Sequence, residues 1–147
     1  MRPFAPITRI LVVPVSIFRF ITRLLLAALF LFAGVVHLDR PGLFLQVMPP
    51  AIPFPMACII ISGVAELLGG LGLLLPWRPI QLLTGWGLTL LLIAVFPANI
   101  YMAVDHIKVP GLPTGEWFAW ARLPLQPLLI AGVLWVTEIW PKVCVKE

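Results

Sequence analysis

Residues 54–75 read FPMACIIISGVAELLGGLGLLL, a long apolar run whose only charged residue is Glu66. A helix that crosses a bilayer needs about 20 mostly apolar residues, because the hydrocarbon core is about 30 Å thick and each residue rises about 1.5 Å. The run meets that length. Pro76 follows it directly, and proline stops helix propagation because it lacks a backbone N–H donor. This stretch therefore predicts a transmembrane helix.

Three further segments share this character, so the predicted spans lie near 20–37, 54–75, 80–102 and 118–137. The chain is 61% hydrophobic and 11% charged, against about 45–50% and about 25% in soluble domains. So short a soluble chain could not bury this apolar surface, and we expect the excess to face lipid. The sequence predicts an all-α, integral membrane four-helix bundle over residues 20–140. Residues 1–19 form an N-terminal cytoplasmic or interfacial segment, and residues 141–147 form a cytoplasmic tail.

The distribution of Lys and Arg predicts the orientation, because cytoplasmic loops carry an excess of these residues. With four spans, both termini lie on one side. That side collects Arg2, Arg9, Arg19, Arg23, Arg78, Lys142 and Lys146. The other side collects Arg40, Lys108 and Arg122. The bias predicts that both termini are cytoplasmic. The N-terminal segment does not resemble a cleavable signal peptide, since charged residues and Pro14 interrupt its apolar part.

Charge and cysteine content exclude several function classes. The formal net charge of +4 is spread along the chain. The sequence lacks a basic cluster interleaved with aromatic residues, which is the pattern that would indicate nucleic-acid binding. Cys58 and Cys144 are the two cysteines. They form neither a C-x-x-C pair nor a metal-ligand spacing, so we expect no bound metal and no thiol redox site. The predicted topology places them at opposite ends of the bundle, so we expect no disulfide between them.

Glu66 is the polar residue that most needs an explanation, because an ionised carboxylate inside a membrane costs several kcal/mol or becomes neutral. Helical spacing puts Gly63, Glu66 and Gly70 on one face. Small residues let helices approach closely, so this face is expected to point into the bundle. Together with Gly34 and Gly69, these glycines are predicted packing positions. Glu66 is either a ligand-binding or proton-handling group, or a hydrogen-bonded bridge between helices.

Four other polar residues lie at helix ends or one turn deeper. His37 ends the first span and either binds a metal or relays protons, or simply caps carbonyls at the interface. Asn99 follows Pro97 and either satisfies the carbonyl that this proline frees or holds a polar ligand group. Arg122 either snorkels to headgroups or points inward, and Gln126 lies one turn deeper.

These residues come from all four spans, and bundles build sites from inward side chains on facing helices. We therefore predict a small polar pocket in the outer half of the bundle, opening to the outer face and floored by Glu66. Gln126 is expected to be a nearer neighbour of Glu66 than Arg122 is. The candidate pocket residues are His37, Glu66, Asn99, Arg122 and Gln126.

Several motifs resemble the DoxX-like family of small bacterial membrane proteins, in the wider DoxX, DoxD and MauE group. The resemblance runs over about residues 24–135 and is carried by residues 32–37 (FAGVVH), 47–50 (VMPP), 62–69 (SGVAELLG), 97–103 (PANIYMA) and 122–126 (RLPLQ). It implies a multi-pass four-helix bundle in the bacterial inner membrane. Some relatives are linked to quinone-coupled redox systems, and one eukaryotic relative assists receptor assembly. The MauE-type link to disulfide chemistry does not carry over, because the paired cysteines are missing.

Three functions remain open at this point. The chain is an accessory subunit of a quinone-linked membrane redox system, a non-catalytic assembly or chaperone-like partner, or a carrier of a small solute or proton. The absence of a flavin fingerprint, haem pair or thiol pair argues against an enzyme acting by itself. The expected partners are the lipid bilayer, a membrane or peripheral redox protein, and a second copy of the chain in a homo-oligomer. Quinone is the expected cofactor.

Overall fold

The computed structural model describes residues 17–107 and 116–139, and over these residues the chain is helical without any strand. It contains α1 (Ile17–Asp39), α2 (Pro41–Leu45), α3 (Pro55–Leu74), α4 (Arg78–Val104) and α5 (Glu116–Val136). The four long helices are long and apolar enough to cross a membrane. Most of the predicted N-terminal segment lies outside the described residues, as does the predicted tail with Cys144.

The predicted spans agree with the long helices to within a few residues, but α2 was not predicted. Its proline lies at the first helical position, where the missing N–H costs nothing. α4 continues through Pro97, and α5 continues through Pro124 and Pro127. The tight connection between α3 and α4 is held by Gln81, whose Nε2 donates to the carbonyl of Leu75 at 2.5 Å.

The four long helices form a closed ring in which α3 packs on α1 and α4, and α5 packs on α4 and α1. Neighbouring helices are antiparallel, because Ala27 faces Gly70 while the later His37 faces the earlier Gly63, and because Arg19 at the start of α1 pairs with Glu138 after the end of α5. We call the end with α2 the cavity end and the end with residues 75–77 the turn end. The main core is made of Leu26, Ala27, Phe30, Leu73, Leu88, Leu92, Val133 and Val136.

Outside this core, the bundle surface is apolar. Leu68, Leu90 and Leu128 are each about two-thirds exposed on α3, α4 and α5. Water would penalise so many large exposed aliphatic side chains, whereas the hydrocarbon region of a bilayer would not. The outer surface is therefore that of a bundle suited to a lipid environment.

Glycines set the distance between α3 and its neighbours. A Cβ atom at Gly63 would lie 2.8 Å from the Cβ of His37, and one at Gly70 would lie 2.7 Å from Cγ of Leu31. A Cβ at Gly34 would lie 2.8 Å from the carbonyl oxygen of Gly63. These three glycines therefore lie where α1 and α3 touch. Gly69 lies on the other side of α3, against Leu88 of α4.

The turn end is fastened by a charged cluster that the sequence did not single out. Glu138 adopts a left-handed conformation with φ 57° just after α5, and the N–H of Ile139 donates to the carbonyl of Leu134, as in a Schellman cap. The Glu138 carboxylate pairs with Arg19 at 2.5 Å. Arg78 donates to the carbonyl of Thr137 at 2.6 Å. Side chains of α1 and α4 thus secure the end of α5.

We expect Gly63→Leu and Gly70→Leu to destabilise the bundle by roughly 1–3 kcal/mol each, because the added side chains would force α1 and α3 apart. Gly87→Leu is the matched control, since a Cβ there would meet open space. Thermal unfolding in detergent measures the effect. Wild-type melting temperatures for both the Gly63 and Gly70 variants would contradict the packing described above.

Candidate functional site

A cavity of about 340 Å³ lies inside the cavity end of the bundle. All four long helices contribute to its walls or to the polar network behind them. Most of its wall is apolar, with polar groups from α1, α3, α4 and α5. Its polar lining residues are His37, Ser62, Glu66, Asn99 and Arg122. Ligand pockets are typically apolar with a few converging polar groups, so this cavity is the candidate site.

His37 and Glu66 meet across the contact of α1 and α3. Nδ1 of His37 lies 2.7 Å from Oε2 of Glu66 and 3.0 Å from the carbonyl oxygen of Ala33. The ring nitrogen is aligned for a hydrogen bond with the Ala33 carbonyl, whereas Oε2 of Glu66 has no aligned hydrogen bond. The two side chains are therefore in close contact without a well-formed hydrogen bond. His37 therefore caps a carbonyl of its own helix and also faces the acid, whereas metal binding or proton relay by His37 stays a prediction.

The Glu66 carboxylate lacks the donors that a buried acid requires. Only 8% of the residue is exposed, and Oε2 is fully buried. An unsatisfied buried polar group costs about 1–3 kcal/mol, and a charged one costs more. Because Glu66 lines the cavity, its carboxylate can accept a hydrogen bond from a ligand there.

Asn99 and Gln126 form a second polar network, between α4 and α5. Nδ2 of Asn99 donates to Oε1 of Gln126 at 2.7 Å, and Nε2 of Gln126 donates to the carbonyl of Leu92. Leu92 precedes Ile93, whose carbonyl loses its helical donor because of Pro97. Thus Gln126, rather than Asn99, serves the backbone in this region. Asn99 remains at the cavity wall.

Arg122 points inward and keeps most of its donors unused. The guanidinium Nη1 donates only to the sulfur of Met102, at 3.6 Å, and the group lies 5.8 Å from the ring centre of Phe118. Sulfur is a weak acceptor, and a guanidinium carries five N–H donors. Arg122 lines the cavity and interacts electrostatically with Glu66. Its free donors can therefore serve an acceptor on a ligand.

The structure departs from two sequence predictions about these residues. Gln126 does not line the cavity; it lies behind Asn99, so Arg122 rather than Gln126 shares the site with Glu66. The reason is the backbone acceptor at Leu92, which draws the Gln126 amide towards α4. The other four candidates, His37, Glu66, Asn99 and Arg122, surround one cavity.

α2 and the residues after it also contribute to the site, which the sequence did not predict. The Phe44 ring stacks on the His37 ring with 3.8 Å between centroids and an angle of 23°. Val47 lines the cavity and packs against Met102, Ala103 and Ala119. The segment therefore lies across the cavity end, the side to which the sequence predicts that the pocket opens. In the sequence, the only sign of this contact is an aromatic residue, Phe44, shortly after the end of α1.

Among the described residues, no group of three or more His, Cys, Asp or Glu side chains could hold a metal ion. Cys58 lies at the cavity wall as an exposed free thiol. The site therefore offers one acid, one imidazole, one guanidinium, one amide and one hydroxyl among apolar side chains. These groups can bind a small ligand that both donates and accepts hydrogen bonds.

These features define an all-helical bundle protein with a largely apolar cavity that holds a few polar groups. Residues 26–137 match the model of the family described as a domain of unknown function, DUF8561, and the chain belongs to that family. The matched region includes every candidate pocket residue. No curated protein and no solved structure matches the chain.

We expect Gln126→Leu to destabilise the fold by about 1–3 kcal/mol, because it leaves the Nδ2 donor of Asn99 without its acceptor. Adding Asn99→Leu should cost less than the sum of the single changes, with a coupling of about 0.5–3 kcal/mol. Gln46→Leu, at an exposed glutamine after α2, is the matched control. Additive melting shifts in detergent would show that the two amides do not act together.

Proposed function

We propose that this protein is a multi-pass protein of the bacterial inner membrane whose cavity binds the head group of a quinone-type ligand. In this role it serves as an accessory subunit for a membrane or peripheral redox partner. The observation that carries the proposal is the facing arrangement of the Glu66 acceptor and the unused Arg122 donors within an apolar cavity. The resemblance of the sequence motifs to DoxX-like proteins supports the same assignment and stays a prediction.

The chemistry of the cavity fits both redox forms of such a ligand. A quinone carbonyl accepts hydrogen bonds, which Arg122 can donate. A quinol hydroxyl donates one, which the carboxylate of Glu66 at the cavity wall can accept. The volume of about 340 Å³ is at the small end of the range for ligand sites, about 300–1,000 Å³. It therefore suits a head group better than a head group with its whole tail.

In this proposal, the partner protein carries out the electron transfer, because the sequence of this chain holds no C-x-x-C pair and no dinucleotide-binding fingerprint. The chain's own part is to hold the head group at a fixed depth. Hydrogen bonds to both ends of a bound head group would stabilise one orientation, as pre-organised polar groups do in other sites. A protein that only assists the assembly of other proteins would not need Glu66 and Arg122 to keep unused hydrogen-bonding capacity.

The proposed topology places both termini and residues 75–78 in the cytoplasm. Reporter fusions after Arg78 and after Val145 should give cytoplasmic signals, and a fusion at Lys108 should give an external one. The reason is that most Lys and Arg residues lie on the side of the termini, and cytoplasmic loops carry the excess of these residues. The two turn-end arginines, Arg19 and Arg78, lie on the same side of the bundle. An external signal at Arg78 would overturn this orientation.

Glu66→Gln tests the ligand, because it keeps the shape of the side chain and removes the carboxylate. We expect affinity for a decyl-substituted benzoquinol to fall at least about tenfold, since a hydrogen bond to a charged group contributes about 1.5–3 kcal/mol. Affinity for the matching quinone should change much less. Binding is measured in phosphatidylcholine vesicles holding the full chain, by quenching of tryptophan fluorescence, with thermal melting as the check on folding.

Asp39→Asn is the matched control for this test. Asp39 ends α1 on the exposed surface and does not line the cavity. The same change from carboxylate to amide there should leave both affinities as in the wild type. If Glu66→Gln also leaves quinol affinity unchanged, the acid is only a bridge between α1 and α3, and the proposed ligand site is wrong.

A further inference from the structure

We infer that the cavity opens sideways, between α3 and α4, through a mouth formed by Ile61 and Ala94, and that its ligand enters from the hydrocarbon core of the bilayer. The ligand is thereby a lipid-dissolved molecule with a polar head, not a water-borne solute. This inference rests on the membrane insertion proposed above and adds the route and the physical class of the ligand.

The exposure of the lining residues locates the mouth. Ile61 lines the cavity and yet is 67% exposed on the outside of α3. Ala94 lines the cavity from α4 and is also exposed. A residue that faces both the interior space and the outer surface lies at the edge of an opening. Cys58, one turn before Ile61 on α3, is also an exposed lining residue and continues this edge along α3. By contrast, Ser62 and Glu66 are buried and lie deeper in the same cavity.

The packing of α3 and α4 explains why an opening lies there. Near the turn end, Gly69 and Gly72 of α3 let Leu88 and Thr84 of α4 pack directly against the helix. Towards the cavity end, the facing positions of the two helices line the cavity instead. Side chains of α4 at this level are small, with alanine at 94 and 98. The helices therefore touch at one end and leave a space at the other.

The cavity end offers less access, because α2 and the residues after it lie across it. Phe44 stacks on His37, and Val47 packs on the buried cluster of Met102, Ala103 and Ala119. These α2-side lining residues are half-buried, in contrast to Ile61. The more exposed edge of the cavity is thus on the side of the bundle.

The depth of the mouth places it in lipid. Ala94 lies ten residues before the end of α4, or about 15 Å along the helix, which is half of a hydrocarbon core of about 30 Å. The surface around it is apolar, with Leu90 and Ile93 more than half exposed. A molecule that reaches this mouth must already be dissolved in the bilayer.

Photolabelling with a small apolar aryl diazirine dissolved in vesicle lipid tests the mouth without using a quinone. In the wild-type chain, we expect carbene insertion at the buried Ser62 and at Leu91, mapped by mass spectrometry. Ala94→Phe should reduce insertion at Ser62 by at least about fivefold, because an aromatic ring filling the gap leaves no space for the probe. Ala131→Phe, at an exposed alanine of α5, should have no effect.

Ile61→Trp provides a second way to narrow the mouth, and thermal melting verifies that each variant folds. Interior labelling that persists in both mouth variants would refute the lateral route. So would an absence of labelling at Ser62 in the wild type. Labelling of Ser62 by a charged, water-soluble carbene reagent at the same level would also refute it, since the cavity would then open to water.

Competition by excess decyl-substituted benzoquinone separates this inference from the proposed function. Loss of diazirine labelling at Ser62, together with the effect of Ala94→Phe, supports both. Labelling that depends on the mouth but resists the quinone refutes the quinone-type ligand and upholds the lateral mouth. Competition by the quinone with no effect of either mouth variant refutes the mouth and upholds the ligand.

Discussion

The close approach of α1 and α3 is the constraint on which the site depends. Gly34 and Gly63 bring the two backbones so near that a Cβ at either position would clash. At that distance the imidazole of His37 reaches Oε2 of Glu66 at 2.7 Å. A larger residue at Gly63 would meet the His37 side chain itself. Packing and polar chemistry are therefore coupled in one contact, and the pair cannot keep its geometry if the helices separate.

The cavity follows from unequal packing around the ring of helices. α3 packs closely on α1 along its length and on α4 near the turn end, where Gly69 and Gly72 permit contact. Beyond that contact, α3 and α4 leave space between them, which α2 and its following residues cover from the end. Glu138 with Arg19 and Arg78 fixes the opposite end of the bundle. One end is thus fastened, and the other retains a cavity.

The polar side chains around the cavity fall into two sets, which differ in whether their hydrogen bonds are satisfied. Gln126 and Asn99 satisfy each other and a backbone carbonyl next to the proline-disturbed turn of α4. Glu66 and Arg122, in contrast, retain unused hydrogen-bonding capacity although both are at least partly buried. Since burial makes unsatisfied polar groups costly, the second set marks where a ligand would contribute most to stability.

The sequence by itself determined the four long helices and their approximate bounds, because apolar length and proline breaks are local properties of the chain. It also identified Glu66 and the glycines beside it, since a lone acid in an apolar run is visible without a fold. Only the tertiary structure decided which polar groups meet. It placed Arg122 rather than Gln126 in the cavity with Glu66, because the Leu92 carbonyl attracts the Gln126 amide. It also placed Phe44 on His37, a contact between separate helices that no periodicity encodes.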